Sequence, residues 1–579
     1  MLHKIDAHRE WIQRGIRHVV KVALIAATLV FAFPAVRAIN SASNAARAPN
    51  PSDQKATAAS GGQAPLSVTT KLISMSVIVR DKNGQPITGL TKDDFTVFDN
   101  KKRRTIDVFS SVTTAVEPAR PKSLPPNTYS NDLGARNDSP SNLTIILLDS
   151  LNTPSFDRAF PRTQIKKLLE TLQPQDRIAL YSLGSRLRVL HDFTSDASSL
   201  LAALNANADV ELIDVDAPPS GPTNEHNMQL VPLAEEDTAV EAEHLAGNRA
   251  AATAVALRTI AEHVSYLPGC KSLIWISDDF PLYLELANLQ RATDGQRLPF
   301  ATGNELVARA LDSAHIAIYP IDARGLETRG VSDIANMSVD AQNAEMARKA
   351  EMETIAHHTG GRAYSDTNGI MGSIRRTIDA SRVTYELGFS PGDVDWDGSF
   401  HKLQVKVNRH DAQIETRDGY YALADPALTP DIVAQLVAET ARSRIEATGI
   451  RFTVTVSGSA AAVSVGAASK VGLDVSFTLD PNQFAFEVHD GELQDTVDIG
   501  FVFVDAKNRI IQRAALALPF KLDPQTYQEL SKAGLPLERE VEIPPNAVEL
   551  RLIVFDRGNS RVGSVRIPVD RSAAPQKSN

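Results

Sequence analysis

Cysteine is nearly absent from this chain of 579 residues: Cys270 is the only one. A single cysteine forms no internal disulfide, no multi-cysteine metal centre and no redox pair. Standing just before an apolar run, Cys270 reads as a small core residue. An excess of basic residues is also missing. Lys and Arg number 60 against 70 Asp and Glu, a net charge of −10, which gives no electrostatic reason to expect nucleic acid or an anionic membrane surface as partner. The chain contains no G-x-S-x-G, H-E-x-x-H, Walker or dinucleotide-binding pattern, so the common hydrolase, zinc-protease and nucleotide signatures are lacking. Long apolar runs are scarce too. The longest, residues 22–33 (VALIAATLVFAF), is short for a membrane span, which needs roughly 20 residues.

What is present starts with that run. Arg14, Arg17 and Lys21 precede it, Pro34 ends it, and Val36-Arg37-Ala38 offers small residues at the positions a signal peptidase reads. Residues 1–38 are expected to be a cleaved signal peptide, with an uncleaved anchor as the alternative. After cleavage no membrane span is expected. No cysteine lies near the site, which argues against a lipid anchor. Residues 39–65 are rich in Ala, Ser, Asn, Pro and Gly and read as a disordered linker.

Apolar content of 43% then points to globular structure, and the length suggests several domains. Residues 66–115 alternate with period two and turn at Asn83-Gly84, a small β unit. Residues 116–141, rich in Pro, Ser and Asn, read as a loop. From residue 142 buried apolar runs alternate with helical patterns: 143–148, 177–183, 272–276, 315–321 and 383–389 read as strands. That alternation predicts an open parallel sheet with helices on both faces. An acidic, Pro-containing insertion occupies 205–245. Residues 400–422 read as a hairpin that closes this domain, which is placed at 142–425. Residues 426–459 are expected to be a helical linker. Seven short alternating runs in 460–570 predict a β-sandwich, and 571–579 a polar tail.

Ligands in such sheets sit at the carboxyl ends of the strands. There the sequence places ILLDSLNTP at 146–154 and WISDDFP at 275–281. Asp149 and Thr153 also suit helix capping, so their presence alone leaves structure and chemistry both open. Elsewhere, adjacent His357 and His358 point to different helix faces and form a poor metal pair. His401 and His410 read as surface or packing positions, and Lys101 to Arg104 as a solvated basic turn.

VRDKNGQPITGLTKDDFTVFDN, IILLDSLNT, YLPGCKSLIWISDDFP, IAIYPIDARGL, TGGRAY, YELGFSP, FHKLQVKV and RDGYYAL occur in this order between residues 70 and 422. In them the chain resembles the von Willebrand factor A (vWA) domain, and more narrowly the vWA-related family of Acidobacteria. The resemblance implies a vWA-type, Rossmann-like open sheet, preceded by the small β unit and followed by an immunoglobulin-like sandwich. It also implies a metal-ion-dependent adhesion site built on D-x-S-x-S after the first strand, a Thr from a middle loop and an Asp after the fourth strand. Magnesium suits such a site because it wants about six oxygens and keeps some waters. An acidic group of a partner protein would fill an open position.

Asp149 and Thr153 fit that pattern, but Leu151 stands where a hydroxyl is wanted and cannot ligate a cation. The resemblance therefore implies a degenerate site of Asp149, Thr153 and Asp278, helped by Asn152 or Asp279, holding Mg²⁺, Mn²⁺ or Ca²⁺ or no ion at all. The middle-loop Thr is left open among Thr223, Thr238 and Thr253. The function expected is that of an exported, non-enzymatic protein, periplasmic, outer-surface or extracellular, which holds an unidentified protein partner at the cell envelope. The alternatives are a metal-assisted envelope hydrolase using Asp149 and Asp278, and a structural protein whose metal site is dead.

Overall fold

The structure, a computed structural model, describes residues 72–113, 124–132, 143–154, 158–206, 235–267, 269–282, 299–324, 338–365, 369–394, 396–423, 429–458 and 472–569. All of them belong to one compact unit, Ser67–Asn579. The expected signal peptide and linker, nearly all of the core of the acidic insertion (207–234) and the tail lie outside the described residues.

The chain opens with β1 (Ile73–Arg80), β2 (Phe95–Asp99), β3 (Lys102–Arg104) and β4 (Val108–Thr113), then a short β5 (Thr128–Ser130). An α/β stretch follows: β6 (Leu143–Asp149), α1 (Ala159–Leu169), β7 (Ile178–Leu183), β8 (Leu187–Thr194), α2 (Ala197–Ala206), α3 (Glu235–Val264), β9 (Lys271–Ser277), α4 (Pro299–Ser313), β10 (Ile316–Asp322), α5 (Val339–Thr359) and α6 (Ile370–Ala380). Then come β11 (Val383–Phe389), β12 (Asp397–Val407), β13 (Gln413–Glu415), β14 (Gly419–Leu423) and α7 (Pro430–Arg442). The last part holds β15 (Phe452–Gly458), β16 (Gly472–Leu479), β17 (Glu487–His489), β18 (Glu492–Val504), β19 (Ile510–Leu522), α8 (Pro524–Ala533), β20 (Leu535–Glu542), β21 (Glu549–Asp556) and β22 (Val562–Pro568).

The central sheet has the order β10-β9-β6-β7-β8. β6, β7, β9 and β10 are parallel, and every residue in each of them is buried. That is what continuous apolar runs such as LTIILLD require, since helices cover both faces. Two apolar layers do this: Leu257, Ile260 and Val264 of α3 pack on one face, and Ile165, Leu168, Ile374 and Ile378 of α1 and α6 on the other. β8, which the sequence reading did not anticipate, turns back antiparallel on β7. Beyond β10 the sheet ends in a single parallel bridge between Ile321 and Tyr364. Gly361 lets the chain reach that place, because a Cβ there would lie 1.9 Å from the Ile318 carbonyl oxygen.

Three expected boundaries shift. Residues 383–389, expected as the last parallel strand, form β11, which lies antiparallel between β1 and β4. The 400–422 hairpin does not close the α/β domain either. β12 pairs with β2 and β14, and β13 pairs with β1. These strands and the N-terminal ones share a core of Val77, Phe95, Tyr385, Phe389 and Leu403, so they form one β-sandwich into which the α/β unit is inserted. The cause of the difference is burial. β11 is covered on both faces and carries the same unbroken apolar run as a parallel strand, and periodicity does not separate the two.

The supposed loop 116–141 contains β5, which joins β15 in the C-terminal sandwich. Asn131 fixes this crossing: its amide donates to the carbonyls of Ala447 and Ile450 at 2.7 and 2.8 Å and accepts from the Phe452 N–H at 3.0 Å. The supposed linker 426–459 belongs to the same module. α7 packs on Val502 and Phe555, and β15 is an inner strand of the sheet β20-β16-β15-β5. The second sheet contains β17, β18, β21 and β22, with β19 along β18, and Phe452, Phe477, Phe501 and Leu552 fill the space between the two.

Candidate functional site

The loops after β6, β9 and β10 meet at the carboxyl end of the central sheet. β6 delivers Asp149, which is 3% exposed. Its Oδ1 accepts the N–H groups of Leu151 and Asn152, both at 3.0 Å, and so closes a tight turn. Its Oδ2 accepts the Asn152 amide at 2.8 Å, the Trp275 indole N–H at 2.9 Å and the Ser277 hydroxyl at 3.0 Å. Burial pushes the Asp149 carboxyl above its usual value, and these donors oppose that rise. The loop is held from outside as well. Arg158 donates to the carbonyls of Ser150 and Thr153, both at 2.8 Å, and the N–H groups of Ser150 and Leu151 reach the Leu183 carbonyl.

Asn152 is the centre of the arrangement. Its Nδ2 bridges Asp149 and the Thr253 hydroxyl, the latter at 2.9 Å. Thr253, one of the three threonines left open, lies fully buried on α3 and joins the group through Asn152. Thr223 lies outside the described residues, as does the side chain of Thr238. Leu151, the odd residue in the motif, packs against the central core. Thr153 does not cap α1; its hydroxyl accepts the backbone N–H of Asp278 at 3.1 Å. α1 starts without any side-chain cap.

The other acids are matched by arginines. Asp278 is paired with Arg324 at 2.8 Å, and Arg324 also reaches Asp322 at the end of β10 at 3.3 Å. Arg348 from α5 holds the other oxygen of Asp322 at 2.7 Å. Asp279 turns away from the group: it is exposed, and its Oδ1 accepts the N–H of Phe280. Burial and the charge of Asp279 together push Glu351 of α5 up to about 7.

Asp149, Asn152, Thr153 and Asp278 thus come together, and Asp279 stands at the rim. They do not fit the cation that the resemblance implies. A divalent ion needs free oxygen lone pairs converging on one point. Here both oxygens of Asp149 carry N–H and O–H donors, Thr153 is occupied by a backbone N–H, and Asp278 already faces a guanidinium. Asn152 Oδ1, also buried, has no hydrogen-bond partner among the described residues. Among the described residues no group of three His, Cys, Asp or Glu side chains is placed to hold a metal. Trp275, Ser277 and Arg324 were not among the expected site residues, although all three stand within stretches that carry the resemblance.

The remaining candidates have structural places. His401 is not a surface residue: its Nδ1 meets buried Asp99 at 2.8 Å, and its ring stacks on Tyr420. Asp99 also holds Arg104 at 2.7 Å, so the basic turn is only partly solvated. His358 packs against Phe400, and His357 pairs with Asp418 at 3.3 Å. His410 is exposed beside Asp411. Cys270 is buried, and burial raises its thiol.

No family model and no curated protein matches the sequence. Solved structures are matched at low identity. An aerotolerance-related membrane protein from Bacteroides fragilis is 14% identical, with 42% of this chain and 98% of that one covered and a TM-score of 0.24. A von Willebrand factor type A protein from Catenulispora acidiphila is 10% identical over 65% of this chain and 80% of that one, also with a TM-score of 0.24. The pilus adhesin SpaC from Lactobacillus rhamnosus GG is 11% identical over 75% of this chain and 54% of its own, again at 0.24. Likeness at this level assigns no activity or partner to the present chain.

Proposed function

We propose that this chain is an exported vWA-domain protein, of the kind its motifs resemble in Acidobacteria, that binds another protein at the cell envelope without enzymatic activity. In this reading an internal amide and two guanidiniums do the work that a divalent cation does in the family site. The observation that carries it is the Asn152 bridge between Asp149 and Thr253, with the partly exposed Asp278–Arg324 pair above it. A locked base under an exposed ion pair suits recognition, because paired charges at a rim select partners by complementarity. The alternative hydrolase would use Asp149, whose oxygens are engaged by five donors. The C-terminal sandwich serves as an immunoglobulin-like second contact or spacer. Among the described residues no helix is long and apolar enough to cross a membrane.

The test is capture from envelope extract by the wild type and by Arg324→Ala, each with and without EDTA. Binding that survives EDTA and falls by about tenfold in the variant is expected. Capture abolished by EDTA would overturn the cation-free reading.

A further inference from the structure

The opposite end of the same sheet carries a different feature. Where the amino ends of β9 and β10 meet the two sandwiches, a cavity of about 610 Å³ opens. That volume lies within the range of about 300–1,000 Å³ typical of small-molecule sites, which favour domain junctions. We infer that this cavity binds a small organic anion with an aromatic or aliphatic body.

The charge of the lining argues for an anion. Five guanidiniums line the cavity against two carboxylates, Glu262 and Asp312, and Arg557 and Arg258 are also paired with Asp498 and Glu439 behind the lining, which leaves the wall positive by one charge. Arg417 is 8% exposed and is held in place by Asp312 and by the Ser74 carbonyl. Arg258, 6% exposed, forms a second fixed positive group, tied to Glu439 of α7. Arg561 is exposed and completes the positive side from the β21–β22 turn.

The apolar part argues for an organic body. Phe400 and Leu72 both line the cavity while 37% and 44% exposed, and large apolar side chains left this open mark binding surfaces when they cluster. The His358 ring lies 5.2 Å from Phe400, so one aromatic wall is already assembled. An anionic head would face the arginines while the body lies on this wall. Carboxylate and phosphate heads share that chemistry.

Calorimetric titration of the full chain tests the inference with 2-naphthoate, naphthyl phosphate, inorganic phosphate and naphthylmethylammonium. The two aromatic anions are expected to bind at least about tenfold more tightly than either inorganic phosphate or the cation. The better of the two identifies the head group. Arg561→Glu and Phe400→Ser, both at exposed positions, are each expected to weaken the aromatic anion by about tenfold or more with an unchanged thermal transition. Equal affinity for anion and cation, phosphate binding as tightly as its naphthyl ester, no binding at millimolar probe, or full affinity in both variants would each overturn it.

Discussion

At the carboxyl end of the central sheet Asp149, Asp278 and Asp322 are engaged by donors from neighbouring loops and α5; at the amino end five guanidiniums border an open cavity. The same strands build both ends. Asp149 sits at the tip of β6 under five donated hydrogen bonds, and Asp278 and Asp322 share Arg324. Arg417 and Arg258 at the far end border a cavity of about 610 Å³. The difference shows where binding capacity lies. Side chains that engage each other fix loops in place, whereas an open, charged and partly apolar volume leaves room for a ligand. In the proposed reading the carboxyl end is a rigid display for a protein partner, and the amino end is a pocket for a small one.

The largest test of that contrast is Asp149→Ala. It strands the Trp275 indole N–H and one N–H of the Asn152 amide in a buried site, while Ser277 keeps the Asp279 carbonyl as acceptor, and should cost about 3–5 kcal/mol. Urea unfolding followed by tryptophan fluorescence reads this directly. A loss below about 1 kcal/mol would mean that the donors find water and that the end is not closed. Trp275→Phe keeps most of the packing on Phe280, whose ring lies 4.9 Å away, and removes one N–H, so a loss of about 1–2 kcal/mol is expected.

The two ends should also answer to pH with opposite signs. Glu351 is raised from 4.5 to about 7, so the folded state keeps a proton that the unfolded chain has released. Stability from this group is complete below pH about 4.5 and is lost as pH rises through about 7. Lys271, at the start of β9, is buried and lowered from 10.5 to about 8. Between those values the unfolded chain holds the extra proton, so stability rises with pH. Unfolding midpoints across this range should flatten below pH 8 in Glu351→Gln and above pH 8 in Lys271→Met. Unchanged profiles in both variants would remove the electrostatic side of the contrast.

Much of the α/β unit was legible in the sequence, since β6, β7, β9 and β10 each carry a buried run too apolar for anything but a covered strand. What the runs do not encode is partnership. β11 pairs with β1 some 300 residues away, with Ile73 opposite Phe389, and nothing local distinguishes it from a fifth parallel strand. β5 is only three residues long and borrows its place from β15. The site shows the same limit. Asp149, Thr153 and Asp278 were visible as loop acids and hydroxyls at strand ends, but whether a loop acid binds a metal or a neighbouring indole depends on which side chains the fold brings up. Trp275 reads as core, and Arg324 as one more loop cation, until both are seen on the acids. Leu151 was the one residue that announced the change, and it is partly buried against the core.

The central claim is that the carboxyl end closes without a divalent ion. The most direct measurement is the thermal midpoint of the full chain after EDTA treatment, followed by titration with Mg²⁺, Mn²⁺ and Ca²⁺ to millimolar concentration. An ion that binds only the folded state stabilises it in proportion to its occupancy. The account predicts the same midpoint with and without each ion, in the wild type and in Asp149→Asn alike. A saturable rise in the wild type that disappears in Asp149→Asn would contradict it.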